Sequence, residues 1–440
     1  RRRLPAAGVV VGGGDGQPPE SCAEALDRQR FRQALPAPRP SARMFSDAFV
    51  GLVCTDCGEA LTAADAELES IAAAGPCPDC GAPRTPEYDL DTVDADAVRD
   101  GRTVWDRDAV LPFTAETGLS AAEGGTPSVD APSLAAELGV ATVSIKDEGR
   151  NPTGSVLDRG LSVAVTAAEQ ADADLVACAS AGNAGQSMAA YAGQVDLRSY
   201  AFVPSRAPFS NKALVNVHGG EMKVCPGRLG DAVDALDEQL KSDYVDLGAF
   251  ATPFRHDGLK TLGYEILADR GWDAPDAVVV PAGTGEVVVG VANGLQEAQA
   301  LGLVDDVPAV YAVQPAGCAP IAAAWESGAD DTETWTTPDS IVGELEVADP
   351  PGGALALSAI AATDGAVLAV EDDEALESAV AIASTETVEV GLAGGVAAAG
   401  LWELAEDGTI GAEDEVVVVN TESATKTPDV LRSHLMGQGI

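Results

Sequence analysis

From about residue 100 onward, short apolar runs alternate with Ala-rich stretches in which the apolar positions recur at helical spacing. Residues 142–146, 175–179, 200–203, 277–281, 309–314, 366–370 and 415–420 read as strands, with helices at 158–170, 185–192, 228–241 and 259–269. Strand followed by helix, repeated, needs crossover connections. The pattern therefore predicts an α/β fold built on mostly parallel sheets.

At 440 residues and 46% apolar composition, the chain can build a sizeable core and two or three domains. No stretch of 18 or more apolar residues occurs, so no membrane-spanning helix is expected. Lys plus Arg number 26 against 70 Asp plus Glu, a formal net charge of −44, which argues against nucleic acid and anionic membranes as partners. The charge fits a solvated surface adapted to high salt, where screening shortens to about 3 Å at 1 M. A halophile's cytoplasm is the expected setting.

Residues 1–43 depart from this regime, with eight Arg and four acidic residues. Arg1-Arg2-Arg3 and the apolar run 4–11 imitate a signal peptide but pass into Gly12-Gly13-Gly14-Asp15 without a cleavage site, so export is not expected. Met44 opens the apolar run 45–54, and 1–43 reads as an upstream extension from a misassigned start, or as disordered.

Cys54-x-x-Cys57 and Cys77-x-x-Cys80 are separated by nineteen residues, and each pair runs into Gly. Four thiolates at this spacing can close a tetrahedral structural zinc site, and a reducing compartment disfavours the alternative of two disulfides. Residues 44–90 are read as a zinc ribbon too small for a core of its own. Cys22, Cys178, Cys225 and Cys318 lack ligand spacing.

Four segments carry further chemistry. Residues 143–160 run from a strand through Asn151-Pro152-Thr153-Gly154-Ser155-Val156-Leu157-Asp158-Arg159-Gly160 into a helix start. Ser180-Ala181-Gly182-Asn183-Ala184-Gly185-Gln186 also joins a strand to a helix. Pro281-Ala282-Gly283-Thr284-Gly285-Glu286 follows Val278-Val279-Val280, the arrangement in which loop amides and a helix N-terminus meet a phosphate. Asn420-Thr421-Glu422-Ser423-Ala424-Thr425-Lys426 lies near the end.

These segments, with 125–128, 252–266 and 313–321, resemble the threonine synthase family of fold type II pyridoxal-phosphate (PLP) enzymes, related to the tryptophan synthase beta chain. The resemblance covers about residues 44–430 and implies two α/β lobes within 91–440, a ligand cleft between them and a homodimer. It implies PLP as cofactor and elimination of phosphate from O-phosphohomoserine with addition of water to give threonine. On that pattern Asn183 faces the cofactor's phenolic oxygen, Gly283, Thr284 and Gly285 cradle its phosphate, and Thr421 meets its ring nitrogen. Ser155, Arg159, Ser180 and Arg255 are the substrate-side residues for an amino-acid-like small molecule.

Leu157 occupies the Schiff-base position, where the family has lysine, and leucine can neither form an imine nor shuttle a proton. Glu286, Glu422 and Ala424 replace small residues or glycines of the family pattern. A carboxylate at 286 lying about 5 Å from a phosphate would repel it by about 3 kcal/mol per charge pair at an effective dielectric near 20. A sequencing error is disfavoured, because a lysine codon needs two base changes to become leucine and the aromatic residue the family has before it is replaced as well; three readings stay open. One of Lys146, Lys212, Lys223, Lys241, Lys260 or Lys426 substitutes for the missing lysine; PLP or another ligand binds without a covalent link; or the chain, a paralogue of haloarchaeal type, has lost PLP chemistry. The clustering of changes favours the last, a binding or regulatory protein.

Overall fold

The computed structural model describes residues 44–240 and 244–437. The 1–43 extension and its Gly-rich run lie outside the described residues.

Strands β1 (Phe49–Cys54), β2 (Ala60–Thr62) and β3 (Arg84–Tyr88) form an antiparallel sheet in the order β2-β1-β3, with the four clustered cysteines at one end. This small unit is not free-standing. Phe49, Leu52 and Ile71 pack into the same buried cluster as Val163 and Met188 of the body. Tyr88 donates to Asp257 Oδ2 at 2.6 Å, and Lys260 Nζ lies 3.7 Å from the Tyr88 ring centroid.

The body carries two sheets. The larger joins β4 (Ser128–Asp130), β5 (Thr142–Asp147), β10 (Ala277–Pro281), β11 (Ala309–Pro315), β12 (Val367–Val370) and β13 (Glu415–Asn420) in the order β12-β11-β10-β13-β5-β4. All its pairings are parallel except β4 with β5. The smaller joins β6 (Leu175–Ala179), β7 (Arg198–Pro204), β8 (Glu221–Cys225) and β9 (Val245–Asp246) in the order β8-β7-β6-β9, all parallel. Central strands such as β10 are buried along their whole length because helices cover both faces.

The mostly parallel α/β architecture expected from the periodicity is therefore present. The seven strands read from the sequence form, shifted at their ends by one or two residues at most. The alternation did not show β4, β8 and β9: β4 and β9 are only three and two residues long, and β8 is a polar edge strand, Glu-Met-Lys-Val-Cys. The stretch 259–269 belongs to two helices, Pro253–Leu259 and Thr261–Asp269. The acidic run at 371–374 starts the helix Asp372–Thr385. Glu371 and Glu374 cap it reciprocally, and three acids sit in its first turn, where the helix dipole favours them.

One buried ion cluster ties these parts together. Arg159 grips Glu148 through Nε to Oε2 at 2.6 Å and Nη2 to Oε1 at 2.8 Å. Its Nη1 meets Glu265 Oε2 at 2.9 Å, and Lys146 Nζ meets Glu265 Oε1 at 2.5 Å. Glu265 also accepts from the amides of Gly125 and Thr126. Burial pushes Glu265 up, but Arg159 and Lys146 more than offset it and hold it well below the usual carboxylate range.

Removing one partner would leave an uncompensated buried charge. Glu265→Gln is expected to cost about 3 kcal/mol in urea unfolding at neutral pH. Because the folded pKa is lowered, the wild-type advantage is present above the unfolded carboxylate value, about 4.3, and shrinks as pH falls below it. Unfolding series at several pH values check both statements.

Candidate functional site

A cavity of about 720 Å³ opens between the two sheets. Its walls come from the segments that follow the carboxyl ends of β6, β10 and β13, the position where open parallel sheets hold ligands. Ser155, Leu157, Ser180, Asn183, Arg255, Gly283, Thr284, Gly285 and Thr421 all line it. Pro76, Gly81 and Pro83 of the cysteine-bearing unit form part of its rim.

Leu157 begins the helix Leu157–Gln170 and packs against two of the large hydrophobic clusters of the body. The loop before it is stitched to the C-terminal segment. Val156 N–H donates to Thr421 O at 2.8 Å, and Ser423 N–H donates to Gly154 O at 3.0 Å. No lysine lines the cleft among the described residues. Lys146 is in the ion cluster, Lys260 sits at Tyr88, and Lys426 is buried with its Nζ donating to Gln186. Lys212 bonds Ser205 O and Lys223 bonds Gln239, while Lys241 lies outside the described residues.

Ser180 lines the cleft, but its hydroxyl is occupied, accepting from the amides of Gly182 and Gly185, both at 2.9 Å, and so fastening the start of the helix Asn183–Ala192. Asn183 Nδ2 donates to Glu422 Oε2 at 2.5 Å. Glu422 is 1% exposed, and beside it stands Glu344, whose carboxyl is driven well above its usual range by burial and by the Glu422 charge. Sequence reasoning missed Glu344 because it lies in an irregular loop without a motif. The structure brings that loop against the glycine loop, where a Cβ on Gly283 would meet Glu344 O at 3.2 Å.

Gly285 has φ +89°, and a Cβ there would approach Gly352 O to 2.8 Å, so the sharp turn into the helix Glu286–Ala300 requires glycine. Glu286 is placed differently from the expectation of an uncompensated charge. Its Oε1 accepts from Arg255 Nη2 at 2.5 Å, both side chains being 4% exposed, so an arginine neutralises it locally. Arg255 also donates to Leu247 O at 2.8 Å.

Arg159 does not reach the cleft. The substrate-side position expected for it is replaced by the fully buried pairing with Glu148 and Glu265, which spends the guanidinium's donor edges on both carboxylates. His256, not assigned chemistry from sequence, is buried against Phe250, and burial followed by the nearby Lys260 charge lowers its pKa to about 3.

Away from the cleft floor, the Sγ atoms of Cys54, Cys57, Cys77 and Cys80 all lie within 4.8 Å of one another, with separations of 3.4 and 3.6 Å among them. Tetrahedral zinc with bonds of about 2.3 Å places sulfurs about 3.8 Å apart. The set can hold a metal ion.

A family profile described as "Pyridoxal-phosphate dependent enzyme" matches residues 119–422. The threonine synthase of Methanocaldococcus jannaschii is 32% identical over 328 residues, covering 74% of this chain and 81% of the relative. That of Methanosarcina acetivorans is 29% identical over 384 residues, covering 86% and 93%. Among solved structures, an L-serine ammonia-lyase from Rhizomucor miehei superposes with a TM-score of 0.63 at 22% identity, covering 71% of this chain and 97% of that one. A threonine deaminase from Solanum lycopersicum gives 0.60 at 21%, covering 70% and 87%. These two likenesses speak for the fold.

The Arg255–Glu286 pair yields a test of its own. Arg255→Met strands the Glu286 carboxylate in the cleft wall and is expected to cost about 3 kcal/mol, while the double variant with Glu286→Leu recovers most of it. Urea unfolding of the four proteins in that cycle measures the coupling.

Proposed function

The chain belongs to the pyridoxal-phosphate dependent enzyme family, with threonine synthases as homologues, and from that premise we propose that it is a threonine synthase-like binding protein that has given up covalent PLP chemistry. The observation that carries this reading is Leu157 at the head of the helix Leu157–Gln170, in a cleft whose wall holds no lysine among the described residues. The residues present do not fit a covalently held PLP. Among the described residues no lysine amine lines the cleft for the imine, and the Asn183 amide expected at the phenolic oxygen is engaged by Glu422. The glycine turn at 283–285 and Thr421 keep the shape of a ligand pocket, and its occupant is an amino-acid-like small molecule.

The rival reading is an active lyase that converts O-phosphohomoserine to threonine and phosphate. Incubation with PLP, borohydride reduction and peptide mass spectrometry separate the two. The binding reading expects no phosphopyridoxyl-lysine and no phosphate release from O-phosphohomoserine. A stoichiometric lysine adduct accompanied by phosphate release overturns it. Leu157→Lys alone is not expected to restore release, because Glu422 still occupies Asn183.

We read the four-cysteine set as a structural zinc site. Metal analysis of undenatured protein is expected to find about one zinc per chain, consistent with four thiolate ligands. Replacing Cys57 and Cys80 with Ser should lower the unfolding temperature and abolish the zinc. Protein that is folded and zinc-free as isolated overturns this reading.

A further inference from the structure

The cleft wall has a lopsided set of unmet hydrogen-bonding needs. Among the described residues, four buried oxygens lining it accept no N–H or hydroxyl hydrogen, namely Asn183 Oδ1, Glu286 Oε2, Glu344 Oε1 and Glu422 Oε1, against one unmet donor, Arg255 Nε. Glu286 and Arg255 form one ion pair. The other three oxygens belong to one group, because Asn183 donates to Glu422 and the Glu344 and Glu422 carboxyls are hydrogen-bonded to each other, one proton serving two carboxyls.

A ligand's phenolate, carboxylate or phosphate would bring more acceptors to this end and more negative charge. A protonated primary amine brings three N–H donors and a positive charge, so it can satisfy Asn183 Oδ1 and pair with the negative charge that the Glu344–Glu422 pair retains. An inorganic cation fits less well. Glu422 Oε2 already accepts an amide N–H, and among the described residues the cysteine set alone has metal-holding geometry. The remaining charges on the wall agree in sign: Asp234, Asp237, Asp246 and Asp349 line the cleft, and the one arginine lining it among the described residues is paired.

We infer that Glu422, Glu344 and Asn183 form an ammonium site, which reads the amino group of the cleft's ligand. Resting on the binding function proposed above, this assigns the ligand's charge. The family's lysine-bearing pattern would hold the amino nitrogen covalently, whereas these residues hold it as a cation. Selectivity for the amino group is thereby retained through hydrogen bonds and charge.

Calorimetric titration with L-2-aminobutyrate and with (S)-2-hydroxybutyrate tests the inference, because the pair differs only in ammonium against hydroxyl. The amino acid is expected to bind at least about tenfold tighter, equivalent to about 1.4 kcal/mol. Glu422→Gln should abolish that preference. Glu344→Gln should weaken it and serves as the second variant if the first fails to fold by circular dichroism. Equal binding of both compounds to the wild type overturns the ammonium site and leaves the binding function standing. Failure of both to bind also overturns the site, whereas the binding function falls only with the lysine adduct and phosphate release described above. Heat from Mg²⁺ or Ca²⁺ alone that Glu422→Gln removes overturns the site in favour of an inorganic cation.

Discussion

The fold hangs on a cluster of opposite charges held out of water. Lys146, Glu148, Arg159 and Glu265 are each at most 2% exposed, and they come from β5, the turn after it and two helices. Desolvating such groups is expensive, and the arrangement is tolerable only because each charge has a close partner and several have backbone donors as well. Arg159 lies two residues beyond Leu157, so the clamp fixes the first turn of the helix that carries Leu157. The cleft wall inherits its rigidity from a pairing that never touches the ligand.

The fold was largely legible in the sequence because its strands are apolar runs buried between helices, and burial on both faces leaves a strong signal. The elements that escaped lack that signal: β8 is a polar edge, and β4 and β9 are held by neighbours more than by their own residues. The site was legible where chain neighbours act together, as in 154–157, 180–185 and 283–286. It was not legible where partners are distant. Nothing local marks Arg255 as the counter-ion of Glu286, or Glu344 as the companion of Glu422, since each pair is made by the closing of the fold. Arg159 was misread for the same reason, its motif neighbours pointing toward the cleft while its partners lie behind it.

The acidic substitutions in the cleft consequently have unlike meanings. Glu286 brought a charge that an arginine already in the wall absorbs, so it changes the local field little. Glu422 makes no such contact pair, the buried Lys426 feeling its charge only from farther off; it takes a hydrogen bond from Asn183 and stands beside a second carboxyl. One replacement is compensated within the protein, and the other leaves a need that a ligand can meet.

Leu157 packs against the hydrophobic clusters on both sides of it, while its helix start is secured by Arg159 and by the bonds to Thr421 and Ser423. Position 157 therefore contributes packing where a lysine would contribute reactivity, while the helix start is held by other residues. In such an architecture a gene copy can drift away from its chemistry by a change at this one codon without losing the ability to fold. Durability and reactivity are recorded in different residues, and selection can act on them one at a time.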